Sequence, residues 1–310
     1  MGSYRILSID GGGIRGIIPV RVLQRLSKAR PGILDSFDLL AGTSTGGIIA
    51  LGLSHGLSLD VIFDIYAKRS KEIFSRSWLR SMGLRTTSAK YSNKGLEKVL
   101  KETFGEIKLG ELSKKVLISS FDLDSYDGNG KRSYKPKFFH NLDGADVSDY
   151  IRTAVEVGMY TSAAPTYFPS YRGYIDGGVV CNNPSLAALS QALNPKTLPL
   201  PLLTDISLFS MGTGRVTNFV DGETLDWGYA RWIPVILEIM MNGGADVVDY
   251  ECRQILKNKY IRINPYLEKE FKMDSIELIP RMIDIADNID IRKPLEWIDT
   301  YMGIKENELV

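Results

Sequence analysis

One serine in this chain is set between two glycines, in Ala41-Gly42-Thr43-Ser44-Thr45-Gly46-Gly47, with an apolar run before it (Phe37 to Leu40) and a helical-looking run after it (Ile48 to Leu53). A strand, a tight turn and a helix in that order lift a single hydroxyl to the top of a sheet. Gly42 and Gly46 are needed because a side chain at either place would crowd the turn. The following helix points its free N–H groups at Ser44, which favours negative charge beside it. This G-x-S-x-G pattern requires a strand feeding directly into a helix. On its own it also fits a plainer reading, a Gly-rich turn whose serine merely caps the helix, which other stretches must overturn.

The 310 residues suffice for a large core, and 44% of them are apolar, as in a globular protein. A net charge of +1 implies no bulk polyanion-binding character, so no nucleic-acid partner is expected beyond local basic patches. Cys181 and Cys252 are the only cysteines, too few for a disulfide framework or a Cys-rich metal site. The N-terminus lacks the long apolar core of a signal peptide, and Ile6 stands where the myristoylation pattern needs Ser or Thr. With no uninterrupted apolar run of about 18 residues, no membrane-spanning helix is expected. The chain reads as cytoplasmic.

Strands are predicted over Tyr4 to Ile9, Phe37 to Leu40, Lys115 to Leu123, Ser133 to His140, Tyr171 to Ile175, Thr204 to Met211 and Tyr260 to Ile263. Helices are predicted between them. One starts at Ile17 and stops near Pro31-Gly32, one covers Leu59 to Phe74, and one is capped by Ser92 or Asn93 and ended by Gly105. Others start at Ser148 or Asp149 and run through about Val157, start at Pro184, and occupy Arg231 to Asn242, Ala245 to Leu256 and Leu295 to Met302. Helices alternating with apolar strands argue for an α/β fold in three layers, a mostly parallel central sheet with helices on both faces. The Pro195–Pro201 linker is not followed by a change of pattern, so residues 1–310 are read as a single domain.

The first glycine run, Gly11-Gly12-Gly13-Ile14-Arg15-Gly16, has two chemical readings. It matches the dinucleotide fingerprint G-x-G-x-x-G between a strand and a helix, and Asp35 follows at about the ribose-binding distance of 20 residues. However, Asp35 precedes the second strand instead of ending it. Alternatively, consecutive glycines turn adjacent N–H groups toward one point, an oxyanion hole for acyl transfer, with the Arg15 charge close by.

A serine nucleophile needs a base, and the two histidines are poorly placed. His55 lies near the far end of the helix after Ser44, and His140 ends a strand with no later histidine to complete a Ser–acid–His order. A carboxylate must therefore take the proton directly. Asp176, in Tyr174-Ile175-Asp176-Gly177-Gly178, ends a strand before two glycines that admit close backbone approach. At its ordinary pKa of about 3.9 it is a feeble base, and it becomes competent when desolvated.

Together, Asp10 to Gly16, Gly42-Thr43-Ser44-Thr45-Gly46 and Asp176-Gly177-Gly178 resemble the patatin-like phospholipases. Ser162-Ala163-Ala164-Pro165-Thr166-Tyr167-Phe168-Pro169 and Asn182-Asn183-Pro184 are also similar to that family. The resemblance covers roughly Arg5 to Met211, and it weakens after about Phe219. It implies a Ser44–Asp176 dyad and an oxyanion hole from Gly12 and Gly13, with Gly11 and Arg15 close by. It also implies hydrolysis of fatty-acyl esters of membrane glycerolipids without metal or cofactor. Two rival readings are a nucleotide-binding protein using the Gly11–Gly16 loop and an inactive lipid-binding scaffold on the same fold.

Such an enzyme must meet lipid, so peripheral membrane binding is expected. Lys68 to Lys101 carries ten Lys or Arg against Glu72 and Glu97, interleaved with Phe74, Trp78, Leu79, Met82 and Leu84. A basic, aromatic-bearing segment can adsorb to anionic lipid. Equally, it can be a solvated basic helix and loop. Trp227 to Met241 is apolar nearly all round and reads as a core helix, with an anchor or a wall of the acyl-chain pocket as alternatives. An ungated lipase would damage its own cell's membranes, so control by an effector or by self-association is expected, although no residue identifies it.

Overall fold

Tyr4–Ile9 (β1) is buried at every position but Arg5 because helices cover both of its faces. The computed structural model describes residues 3–75, 88–126, 128–198, 200–217, 219–220, 223–268 and 270–304. The other strands are β2 (Leu39–Thr43), β3 (Lys115–Tyr126), β4 (Arg132–His140), β5 (Tyr174–Asp176), β6 (Ile206–Met211), β7 (Arg215–Val216), β8 (Tyr260–Ile263) and β9 (Tyr266–Leu267). A seven-stranded sheet has the order β4-β3-β2-β1-β6-β8, with β5 added to β3. β1, β2, β3, β6 and β8 are parallel, whereas β4 and β5 run antiparallel to β3. β7 and β9 form a separate parallel pair.

Strand residues alternate between two cores, as a period of two requires. Leu7, Ile9, Leu40, Val116, Ile118, Phe209 and Met211 join the helices Ile17–Ala29, Thr45–Ser54, Leu59–Ile73, Asn93–Phe104 and Ala154–Thr161. The two C-terminal helices, Ile279–Asn288 and Arg292–Tyr301, pack into this core. Ile6, Leu39, Ala41, Leu117, Ile206 and Leu208 face the other way, onto helix Ser185–Ala192 and the end of helix Tyr229–Leu256. The three-layer α/β arrangement is therefore the expected one. Each fully buried Leu or Ile contributes about 1.5–3 kcal/mol.

Three local expectations are corrected. The helix expected from Ser148 through Val157 breaks after Tyr150, and a new one starts at Ala154. Thr153 is its cap: its hydroxyl accepts the Glu156 N–H at 3.1 Å, and Glu156 accepts the Thr153 N–H at 3.1 Å. Arg231 to Asn242 and Ala245 to Leu256 form one helix, Tyr229–Leu256, running through Gly243 and Gly244. Glycine weakens a helix by about 1 kcal/mol, and the residues on both sides favour helix enough to carry it through. The core reading of Trp227 to Met241 also fails: Ile236, Ile239 and Met240 are 45–48% exposed.

Of the basic stretch, residues 76–87, with Trp78, Leu79, Met82 and Leu84, lie outside the described residues. In the flanking parts the cations are largely matched by acids. Lys68 pairs with Asp64, Arg69 with Glu72 and Glu102, Lys98 with Glu72, and Lys101 with Glu97. Phe74 packs against Tyr91 and Phe168. Among the described residues no helix is long and apolar enough to cross a membrane.

At the C-terminal edge of the sheet, a buried ion pair ties β8 to the end of β1. Arg262 donates two bonds to Asp10, at 3.1 and 2.5 Å, and a third to the Ser210 hydroxyl at 2.7 Å. Both charged side chains are at most 5% exposed. Removing one member would leave the other charged and unpaired in the interior. Arg262→Met is therefore expected to cost about 3–5 kcal/mol in chemical denaturation, with much of that loss recovered in the Asp10→Asn/Arg262→Met double variant. Strict additivity of the two changes would count against the pair acting as a unit.

Candidate active site

Sheet register brings Ser44 and Asp176 together. β4 occupies one edge of β3. On the other edge β2 pairs as far as Thr43 opposite Ser119, and β5 takes over with Asp176 opposite Ser120. The residue after Thr43 and the last residue of β5 therefore meet where β2 stops. Asp176 is held there from two sides, since its N–H also donates to Ala163 O at 3.1 Å. The Ser162–Pro169 stretch supplies that acceptor.

Ser44 stands at the N-cap of helix Thr45–Ser54 with φ 53° and ψ −120°, and its side chain makes no capping bond. The plain capping reading is thereby removed. A non-glycine residue in this region costs on the order of 1–3 kcal/mol and persists only where surroundings enforce it. Here the Ser44 N–H is fixed by Thr161 Oγ1 at 2.7 Å. A Cβ on Gly42 would lie 2.2 Å from Gly46 O, and one on Gly46 would lie 2.1 Å from Ile9 O. The two glycines thus permit the sharp elbow that turns the Ser44 hydroxyl toward Asp176.

Asp176 is 3% exposed. Its Oδ1 accepts the Gly178 N–H at 2.7 Å. Burial pushes its pKa up to about 6, against the pull of the Ser44 hydroxyl and the Gly178 N–H, both of which favour the anion. Gly177 could hold no side chain, because a Cβ there would lie 2.3 Å from Ser119 Oγ. The carboxylate is thus more basic than an ordinary aspartate.

The loop after β1 completes the arrangement. Gly11 donates its N–H to Asn182 O at 3.1 Å, and its own carbonyl accepts from Thr213 Oγ1 at 2.6 Å. The Gly12 carbonyl accepts from Arg15, from the backbone N–H and from Nε, both at 3.3 Å. In a trans peptide the Gly13 N–H points opposite that carbonyl. Among the described residues the Gly12 and Gly13 amides donate to no protein acceptor, whereas the next N–H, of Ile14, is taken by Met273 O at 2.8 Å. Gly13 has φ 60°, and a Cβ there would lie 2.2 Å from Met273 O. Arg15 is buried, which lowers its pKa, while the charges of Glu238, Tyr167 and Asp10 oppose that shift.

Other candidates fall away from this point. His55 caps the far end of the helix and lies against Phe104. His140 pairs with Leu117, well back along β3, and burial lowers its pKa. Asp35 precedes β2 and lines a cleft with Asp38, Lys114 and Lys115, at the opposite end of the sheet from the Gly11–Gly16 loop. Asp35 therefore does not stand beside that loop, and the dinucleotide reading loses its second element. No metal-binding cluster of His, Cys, Asp or Glu occurs among the described residues. Sequence reasoning missed Thr161, Thr213, Arg262 and Met273. For Arg262 a signal existed, a lone cation in the apolar strand Tyr260–Ile263.

A family model described as patatin-like phospholipase matches residues 7–189. A cGAMP-activated phospholipase of Pseudomonas aeruginosa is 31% identical over 84% of this chain and 78% of its own length. Patatin-like protein 2 of Arabidopsis thaliana is 28% identical over 97% of this chain and 86% of its own length. Protein teg of Priestia megaterium is 26% identical over 96% of this chain and 99% of its own length.

The same geometry predicts two stability gains. Ser44→Gly removes the backbone strain, so it should be more stable than Ser44→Ala by about 1 kcal/mol. Because the native pKa of Asp176 is raised, the folded state binds that proton more tightly than the unfolded one. Stability is then lost as pH rises from about 4 to about 6. Asp176→Asn should accordingly melt above wild type at pH 8, with the gap closing toward pH 4. Calorimetry on the three variants checks both.

Proposed function

Because this chain belongs to the patatin-like phospholipase family, a family of lipid hydrolases, we propose that it is a serine acyl hydrolase cleaving fatty-acyl esters of membrane glycerolipids, of phospholipase A or lysophospholipase type. Ser44 is the nucleophile, Asp176 the base, and the Gly12 and Gly13 amides the oxyanion donors. The reading rests above all on one observation: a strained serine that caps nothing faces a buried carboxylate whose pKa burial has raised to about 6.

In this mechanism Asp176 takes the Ser44 proton as Oγ attacks the ester carbonyl. The tetrahedral oxyanion is held by the two amides, each worth about 3 kcal/mol of barrier in comparable sites. The lyso-lipid alkoxide leaves with the proton from Asp176, and water then hydrolyses the acyl-enzyme. Arg15 does not donate to the oxyanion in this reading. It fixes the Gly12 carbonyl and so aims the Gly13 N–H. Met241 lies over the acid, its Cε 3.2 Å from the place a Gly178 Cβ would occupy. The half-exposed Ile236, Ile239 and Met240 of the same helix offer an apolar surface to an acyl chain or a lipid interface. That the Pseudomonas relative is cGAMP-activated supports control of this chain by a small effector as well.

A serine-directed fluorophosphonate is expected to label Ser44. Ser44→Ala and Asp176→Asn should each lower hydrolysis of a chromogenic fatty-acyl ester by at least about a thousandfold. Since the base must be ionised, kcat/KM should fall as pH drops through about 6. Absence of labelling, together with nucleotide-dependent melting, would favour the rival nucleotide-binding reading. Turnover by Ser44→Ala at the wild-type rate would end the proposal.

A further inference from the structure

Asn182 precedes the helix Ser185–Ala192 and is only 8% exposed, yet its Oδ1 is buried with no hydrogen-bond partner. That oxygen lies close to both Ser44 and Asp176. A Cβ on Gly11 would lie 2.4 Å from Asn182 Oδ1 and 3.3 Å from Ser44 Cβ. A Cβ on Gly178 would lie 3.2 Å from Asn182 Oδ1 and 3.0 Å from Asp176 Oδ1. Only glycines at 11 and 178 leave the carbonyl this close to the reacting groups. An unpaired buried acceptor costs about 1–3 kcal/mol, so its place beside the dyad calls for a donor. The neighbouring N–H groups are already engaged, Gly11 with Asn182 O and Gly178 with Asp176. The Ser44 hydroxyl has a single hydrogen, and the carboxylate of Asp176 is within its reach.

The two half-reactions differ in what they require here. In acylation the nucleophile is Ser44, which has one proton, and Asp176 receives it. In deacylation the nucleophile is water, which has two. We propose that Asn182 Oδ1 accepts the second hydrogen of that water and thereby positions it, an inference that rests on the Ser44–Asp176 reading. Water oxygen attacks the acyl carbonyl while Asp176 takes one proton and Asn182 holds the other through a hydrogen bond. The carbonyl electron pair moves to the oxygen held by Gly12 and Gly13. On collapse the bond to Ser44 Oγ breaks, Asp176 returns its proton to Oγ, and the fatty acid leaves. An alcohol carries an alkyl group in place of that second hydrogen and cannot satisfy Asn182. The residue therefore favours hydrolysis over transfer of the acyl group to another alcohol. Asn182 also lines a polar cleft of about 10 Å³ with Asp10, Arg15, Thr213 and Asn264, where a purely structural role would reside.

The test follows a nitrophenyl fatty-acyl ester in the pre-steady state, with and without added methanol. Asn182→Leu should label with the fluorophosphonate at the wild-type rate and release a burst of one nitrophenol per active site. Its deacylation should be slower by about tenfold or more, and the ratio of methyl ester to free acid should rise. No burst, with hydrolysis and methanolysis reduced in equal proportion, would overturn the proposal and leave Asn182 structural. Asn182→Asp keeps an oxygen acceptor and places a second carboxylate beside Asp176. It should hold the wild-type ratio while its acid limb moves to higher pH, and an unmoved limb also overturns the proposal. Failure of the wild-type Ser44 to label would instead remove the dyad itself.

Discussion

β3 is longer than β2, and the candidate site depends on that difference. Where β2 ends at Thr43, the free edge of β3 is taken up by β5, and the chain positions that flank this junction are Ser44 and Asp176. The meeting of two residues more than a hundred positions apart is therefore a matter of backbone hydrogen bonding, fixed before any side chain contributes. The antiparallel direction of β5 matters equally. It ends at the junction, so the turn after it, through Gly177 and Gly178, folds back over the elbow and supplies the N–H that orients the carboxylate.

The glycine loop is aimed from several sides. Asp10 is anchored by Arg262, Gly11 by Asn182 and Thr213, Gly12 by Arg15, and Ile14 by Met273. Each bond satisfies a group next to the two amides and leaves those amides bare. A buried ion pair is weak evidence for stability in itself, and here its evident effect is positional. The strain at Ser44 and the raised pKa at Asp176 are both destabilising, which is the usual cost of a site held ready for chemistry.

Much of this was legible in the sequence. The elbow, the glycine run and Asp176-Gly177-Gly178 all lie at ends of strands that apolar runs make visible, and the layered fold follows from alternating periods. The two histidines lie away from Ser44, His55 at the far end of its helix and His140 beside Leu117 on β3. What could not be read was pairing between distant segments. Nothing local marks Met273 as the acceptor for Ile14, or Thr161 as the acceptor for Ser44. Gly243-Gly244 reads as a break because propensity is local, whereas the helix continues through it. The exposed Ile236, Ile239 and Met240 misled in the opposite way, since an apolar helix implies burial only if something covers it.

The clamp on the glycine loop comes in part from beyond the stretch that carries every recognisable motif. Arg262 and Met273 lie past residue 189, where the family match ends. Excising the motif-bearing portion would yield a polypeptide that any pattern search accepts, with its amide pair no longer aimed. The tail of the molecule is thus a splint, and divergence there can retune the reaction while the signature stays letter-perfect.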